Sequence, residues 1–150
     1  MPTTGTPRKR RPRSSVLVQR TVTAAPSARL LRRFALAVAR PGAEVTLRVV
    51  GAAEAKRLNS KYRGKKYAAN VLSFAYDRRH GDVVLCHAVI KKEAAAQRKN
   101  LIAHYAHLVV HGVLHLRGHD HMRKREAARM ERTEARILGR LGFADPYALK

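Results

Sequence analysis

Residues 101–121 read LIAHYAHLVVHGVLHLRGHDH. Leu101, Ile102, Tyr105, Leu108, Val109, Gly112 and Leu116 recur at the spacing of one helical stripe, which predicts a helix over 98–116. So wide an apolar stripe has to be covered by other elements. On one side, residues 123–141 carry a second amphipathic pattern through Ala127, Met130, Ile137, Leu138 and Leu141. On the other, the chain is helical in character from Ala88. Ahead of that, Asp82 to Cys86 (DVVLC) and Asn70 to Tyr76 (NVLSFAY) read as strands. In the second, Val71, Ser73 and Ala75 share one face and Leu72, Phe74 and Tyr76 the other. Residues 77–81 between them are turn-like, so the pair reads as a hairpin.

Farther upstream, 63–69 (RGKKYAA) is a basic loop and 52–62 a short helix. Val45, Leu47 and Val49 alternate as in a half-buried strand. Pro26 and Ser27 open a helix through Leu30, Leu31, Phe34, Leu36, Ala37 and Val38, ended by Pro41-Gly42. Val16 to Val18 is a short strand. The order β, α, β, α, β, β, α, α implies an α/β (α+β) fold. It is a single compact domain, a mixed four-stranded sheet covered by about four to five helices, with a metal site on a helix and the following turn.

Composition bounds the function. Thirty-two Lys and Arg against ten Asp and Glu give a formal net charge of +22. Such an excess draws in polyanions, and nucleic acid uses it best because each neutralised phosphate releases counterions. An anionic membrane surface competes as a partner, and a G·C-rich genome alone favours Arg and Ala codons. Residues 1–15 hold five basic residues and no acidic ones, and read as a disordered basic arm ahead of a domain over 16–150. The arm contacts RNA or is a plain tail. Cys86 is the only cysteine, so no intramolecular disulfide forms, as suits a reducing cytoplasm. It reads as a small buried residue at a strand end. No apolar run reaches the length of a membrane span, and no signal-peptide core is present.

Most of the eight histidines lie between 104 and 121. His111 and His115, four apart on a helix, share one face and can share one ion. Gly118 permits the left-handed turn that ends the helix and presents His121 to the same ion. Three imidazoles and one position left for water describe a catalytic zinc site with one ion per chain, in which zinc-bound water ionises near neutral pH. Nickel and copper remain alternatives. Asp120 either orients an imidazole or caps a turn. His119 is a substitute ligand, and His104 and His107 are helix surface or support for the site.

HGVLHLRGHDH resembles the signature of the YbeY family of bacterial endoribonucleases, the rRNA maturation factors. Leu58-Asn59, Tyr62-Arg63, Asn70 to Phe74, Gly81 to Val84, Met130-Glu131, Glu134, Ile137-Leu138 and Leu141 to Phe143 follow in the family's order. The resemblance runs from about residue 43 to the end. It implies a compact α/β domain with zinc on His111, His115 and His121, cleavage of single-stranded RNA, maturation of the 16S rRNA 3′ end, and ribosome quality control. Ribosome or small-subunit contact follows as an implied partnership. Arg63 matches an arginine that the family holds near the metal cleft. One stretch departs: where the family usually has an acidic, Pro-containing run, this chain has Gly64-Lys65-Lys66-Tyr67-Ala68-Ala69.

For such a reaction Arg63 and zinc-bound water are the candidate catalytic groups, with Arg63 and the metal stabilising charge added at phosphorus. Arg63 is otherwise a phosphate-positioning or surface residue, and Asp82 faces the cleft or serves a turn. Two other readings compete. A basic ribosome-assembly factor would hold the metal structurally. A metallopeptidase of the metzincin pattern would need a Glu after the first histidine, where this chain has Gly112.

Overall fold

Ser27 accepts the backbone N–H of Leu30 at 3.2 Å and so caps α1 (Ala28–Leu36), as its position after Pro26 predicts. The helix stops at Leu36, before Pro41-Gly42; Val38 and Ala39 both close back onto the Ala35 carbonyl. The computed structural model describes residues 12–118 and 124–148. Before α1 runs β1 (Ser15–Arg20). After it come β2 (Glu44–Val50), α2 (Ala52–Arg63), β3 (Val71–Ala75), β4 (His80–Cys86), α3 (His87–Ala96), α4 (Leu101–Leu116) and α5 (Lys124–Arg140). The single helical region read from Ala88 onward is two helices. Arg98 at φ +53 breaks it, and Asn100 restarts it by accepting the N–H groups of Ile102 and Ala103. Residues 1–11, which hold most of the expected basic arm, lie outside the described residues. Ser14, just inside them, donates its hydroxyl to the Arg40 carbonyl at 2.7 Å.

The sheet order is β1-β2-β4-β3. β1 and β4 both run parallel to β2, and β3 pairs antiparallel with β4, the expected hairpin. Alternation sorts the strands onto two faces. Val45, Leu47, Val49, Val83 and Leu85 point to the face covered by α1 and α4, with α5 packed on α4, and join the main core. Val50, Leu72, Val84 and Cys86 point to the other face and pack against Ala55 and Leu58 of α2. Cys86 thus sits buried at the end of β4, as expected for a small apolar residue.

α4 is the axis of the domain. Tyr105, Val109, Val110, Val113 and Leu114 are fully or almost fully buried along it. Gly112 lets it approach the sheet closely. A Cβ there would stand 2.7 Å from Val83 Cγ1 and 3.1 Å from Val71 Cγ2. The Ser73 hydroxyl donates to the Gly112 carbonyl at 2.8 Å and pins the same contact. The rotation of α4 about its own axis is thereby set, and with it the direction of the histidines on either side of Gly112. No described helix is long and apolar enough to cross a membrane.

Candidate active site

With Gly112 against the sheet, His111 and His115 lie one turn apart at the edge of β3. Their ring centroids are 4.5 Å apart and their Nε2 atoms 2.9 Å. The two rings line a cleft of about 420 Å³ together with Arg63, Tyr67, Ser73 and Leu116, among others. Arg63 reaches it from the last turn of α2. Its guanidinium donates to the Ser73 carbonyl at 2.7 Å and lies 5.6 Å from the centre of the Phe74 ring.

Behind the pair sits a buried carboxylate. Glu134 of α5 has no exposed surface, and its Oε1 is 2.5 Å from His111 Nδ1. Its Oε2 faces His107 Nε2 at 3.0 Å and accepts the Tyr147 hydroxyl. Burial pushes the Glu134 carboxyl upward, but hydrogen bonds from His107, His111 and Tyr147 outweigh it and hold its pKa at about 2. Glu134 is therefore ionised. A carboxylate only accepts, so His111 carries a proton on Nδ1 and turns its other nitrogen, Nε2, toward His115. This carboxylate–imidazole pairing is the usual way a metal-binding histidine is oriented and its tautomer fixed. Burial first, and then the bond to Glu134, raise the Tyr147 hydroxyl well above its ordinary range, so it too stays a donor.

Two donor sets meet at His111. His107, His111 and Glu134 each place a donor atom within 4.8 Å of the others and could hold an ion. That set is closed among its own hydrogen bonds. The other set, His111 Nε2 with His115 Nε2, fronts the cleft. Two imidazole nitrogens on one tetrahedral zinc lie about 3.3 Å apart, and the observed 2.9 Å needs only a small opening. The first set mixes imidazole nitrogen with carboxylate oxygen and the second is imidazole nitrogen alone; both donor types suit zinc.

A family model described as Endoribonuclease YbeY matches residues 16–142. The chain belongs to the YbeY endoribonuclease family. With that it falls among the hydrolases that cut RNA internally. Endoribonuclease YbeY of Aromatoleum aromaticum is 52% identical over 144 residues, covering 91% of this chain and 94% of that protein. The Endoribonuclease YbeY of Nitrosomonas eutropha is 47% identical over 128 residues, covering 83% and 91%. The fold is similar to the solution structure of TM1509 from Thermotoga maritima, with a TM-score of 0.58, 19% identity, and coverage of 89% of this chain and 99% of that one.

Of the residues that the YbeY signature singles out, His111, His115 and Arg63 come together at one cleft. His119, Asp120 and His121 lie outside the described residues. Gly118 just before them has φ +90, the left-handed turn expected of it. Two expectations need correction. His104 is not helix surface: its side chain is only 5% exposed and its Nε2 meets Glu93 Oε1 at 3.0 Å. His107, by contrast, fits the second of its two readings: it is largely covered and touches the site through Glu134. Asp82 neither lines the cleft nor makes a turn. It sits within β4, on the face away from α4, and accepts the Tyr76 hydroxyl at 2.7 Å.

Glu134 and Tyr147 were not assigned a role from the sequence. Glu134 did leave a signal. It stands four residues after Met130 and three and four before Ile137 and Leu138, so a carboxylate occupies the apolar stripe of α5. A charge there must have partners inside. Tyr147 follows the last helix and belongs to no periodic pattern.

Proposed function

We propose that the chain is a zinc-dependent, single-strand-specific endoribonuclease that acts in the cytoplasm on the small ribosomal subunit, in 16S rRNA 3′-end maturation and ribosome quality control. One observation carries the reading: a buried carboxylate sets His111 so that its Nε2 stands 2.9 Å from that of His115, at a cleft bordered by Arg63. His111, His115 and His121 would hold one ion, with Asp120 as support. Zinc bound there would act as a Lewis acid and lower the pKa of its water. Arg63, fixed by Ser73 and Phe74, places a permanent positive charge where phosphoryl oxygens gain negative charge. Glu134 keeps the His111 ring in one tautomer throughout. The net charge of +22 draws the polyanion in, and the basic residues ahead of β1 extend that attraction as an arm.

A metzincin-like peptidase is disfavoured by packing as well as by sequence. A glutamate in place of Gly112 would drive its Cβ into Val83 at 2.7 Å. The general base of such a peptidase therefore has no room on this helix.

The test is elemental analysis of purified protein alongside cleavage of single-stranded RNA. One zinc per chain is expected, with cleavage lost on chelation and restored by zinc. His115→Ala, still folded by circular dichroism, should lose activity by more than about a hundredfold, since even outer supports of a metal site are typically worth 10- to 100-fold. RNA binding without cleavage in nuclease-free wild-type protein would favour the assembly factor with a structural metal.

A further inference from the structure

We propose that Tyr67 is a platform on which one unpaired base of the RNA stacks, and that this contact gives the cleft its preference for single strands. The inference rests on the endoribonuclease reading and names how that same site selects its substrate.

Six large apolar or aromatic side chains are conspicuously exposed among the described residues: Leu17, Leu36, Tyr62, Tyr67, Tyr76 and Tyr147. Of these, only Tyr67 lines the cleft that holds His111, His115 and Arg63. Its exposure is 60%. A floppy loop would make that unremarkable, but this loop is tied down. Asn59, itself only 2% exposed, donates its amide to the Tyr67 carbonyl at 2.8 Å. The Lys65 N–H returns to the Asn59 carbonyl at 3.3 Å. Ala68 and Ala69 pack on the core beneath α2. The backbone on both sides of Tyr67 is thus held from inside the domain while its ring remains in water. An aromatic ring displayed on a fixed backbone is preorganised to bind a flat apolar surface, because little ordering entropy is lost on contact.

The neighbours say which flat surface. Arg63 and Lys65 line the same cleft, and no Asp or Glu does. Cations tracking a backbone beside an aromatic face are the pattern of sequence-tolerant single-strand binding. The cleft volume of about 420 Å³ is that of a site for one drug-sized molecule, hence a nucleotide rather than a duplex. In a duplex the faces of each base are covered by its neighbours, so only an unpaired, unstacked base can lie on Tyr67.

Single-stranded RNA carrying 2-aminopurine, a base whose fluorescence is quenched by stacking, separates this from a plain surface tyrosine. Wild type and Tyr67→Phe should quench the probe on mixing, before cleavage. Tyr67→Ala should not, and should bind the strand roughly ten- to a hundredfold more weakly. Zinc content and melting temperature should be unchanged, and KM should rise more than kcat falls. Replacing the stacked base by an abasic site should bring wild type down to the level of Tyr67→Ala. If wild type cuts the strand while Tyr67→Ala quenches, binds and cuts it equally, the platform is overturned and the endoribonuclease reading stands. If wild type does not cut RNA at all, both fall.

Discussion

Two histidines of α4, seven residues apart, are each paired with a carboxylate, and these two pairs are built inside out relative to each other. At its N-terminal end His104 is 5% exposed, while its partner Glu93 is 31% exposed. At its C-terminal end His111 is 32% exposed, while Glu134 is fully buried. In the first pair the ring is sealed in; its second nitrogen, Nδ1, is buried with no hydrogen-bond partner. In the second the carboxylate is sealed in and the ring's second nitrogen faces His115 across 2.9 Å. The chemistry of the two pairs is the same. On the proposed function, what separates a structural histidine from a metal-binding one is which partner is buried and where the spare nitrogen looks. The His104 pair braces α3 against α4, helped by the Asn70 amide on Glu93. The His111 pair aims a ring nitrogen into a cleft.

The largest effect should come from the buried carboxylate. Glu134→Ala strands donors from His107, His111 and Tyr147 in the interior and should cost roughly 3–5 kcal/mol in denaturant unfolding. Glu134→Gln keeps the shape and should fold better, yet lower zinc affinity by about 10- to 100-fold, read by competition with a chelator. Unchanged zinc affinity in that variant would erase the distinction between the two pairs. Next in size is Gly112→Ala. Its new methyl group meets Val83 at 2.7 Å, and the overpacking should cost about 1–3 kcal/mol. Because it pushes α4 off β3 beside His111 rather than beside His104, cleavage should fall by more than melting temperature alone accounts for.

Periodicity and ligand spacing were legible without coordinates. The stripe through Tyr105, Val109 and Gly112, the NVLSF strand and its hairpin partner, and the His111–His115 pair all follow from local rules, because an element's period is written in consecutive residues. The break between α3 and α4 was not, since it turns on one left-handed residue, Arg98, of a type that rarely adopts φ +53. The inside-out arrangement of the two pairs was not legible either. His104 and His111 lie near one face of the same helix, and only the packing of α3 and α5 decides which ring is buried. Glu134 was half visible, as a charge on an apolar stripe, but its partner could not be named from α5 alone. The helix spacing gave His111 a neighbour on its own helix and said nothing of the one behind it.

Glu93→Gln is the control for the comparison. The amide still accepts one hydrogen bond from His104 or Asn70, and Glu93 is partly solvated, so the loss should be about 1 kcal/mol. Zinc content should not change, and cleavage should stay within about twofold of wild type. Zinc loss matching that of Glu134→Gln would mean that the two ends of α4 are coupled and that exposure does not separate them.

The smallest effect belongs to an imidazole–carboxylate pair away from α4, at the β3–β4 turn, where neither member is buried. Asp77 accepts the N–H groups of Arg79 and His80 and the His80 ring, and these bonds hold its carboxyl at about 2. The bond to Asp77 raises the His80 ring above its ordinary value; slight desolvation opposes it, and Glu44, 2.8 Å from Nε2, adds to it. The signs fix the window. The Asp77 contribution is present above the ordinary carboxylate value of 3.8 and fades as pH falls toward 2. The His80 contribution is complete below 6.5 and fades as pH rises through the raised value. The turn is therefore tightest between those limits. Following the His80 ring by NMR, the midpoint should lie above 6.5 in wild type and move back toward it in Asp77→Asn, but not fully, because Glu44 remains. Zinc content and cleavage should be untouched. A change in either would show that an exposed pair, with neither partner sealed in, can still reach the cleft, and burial would no longer be what sets the His111 pair apart.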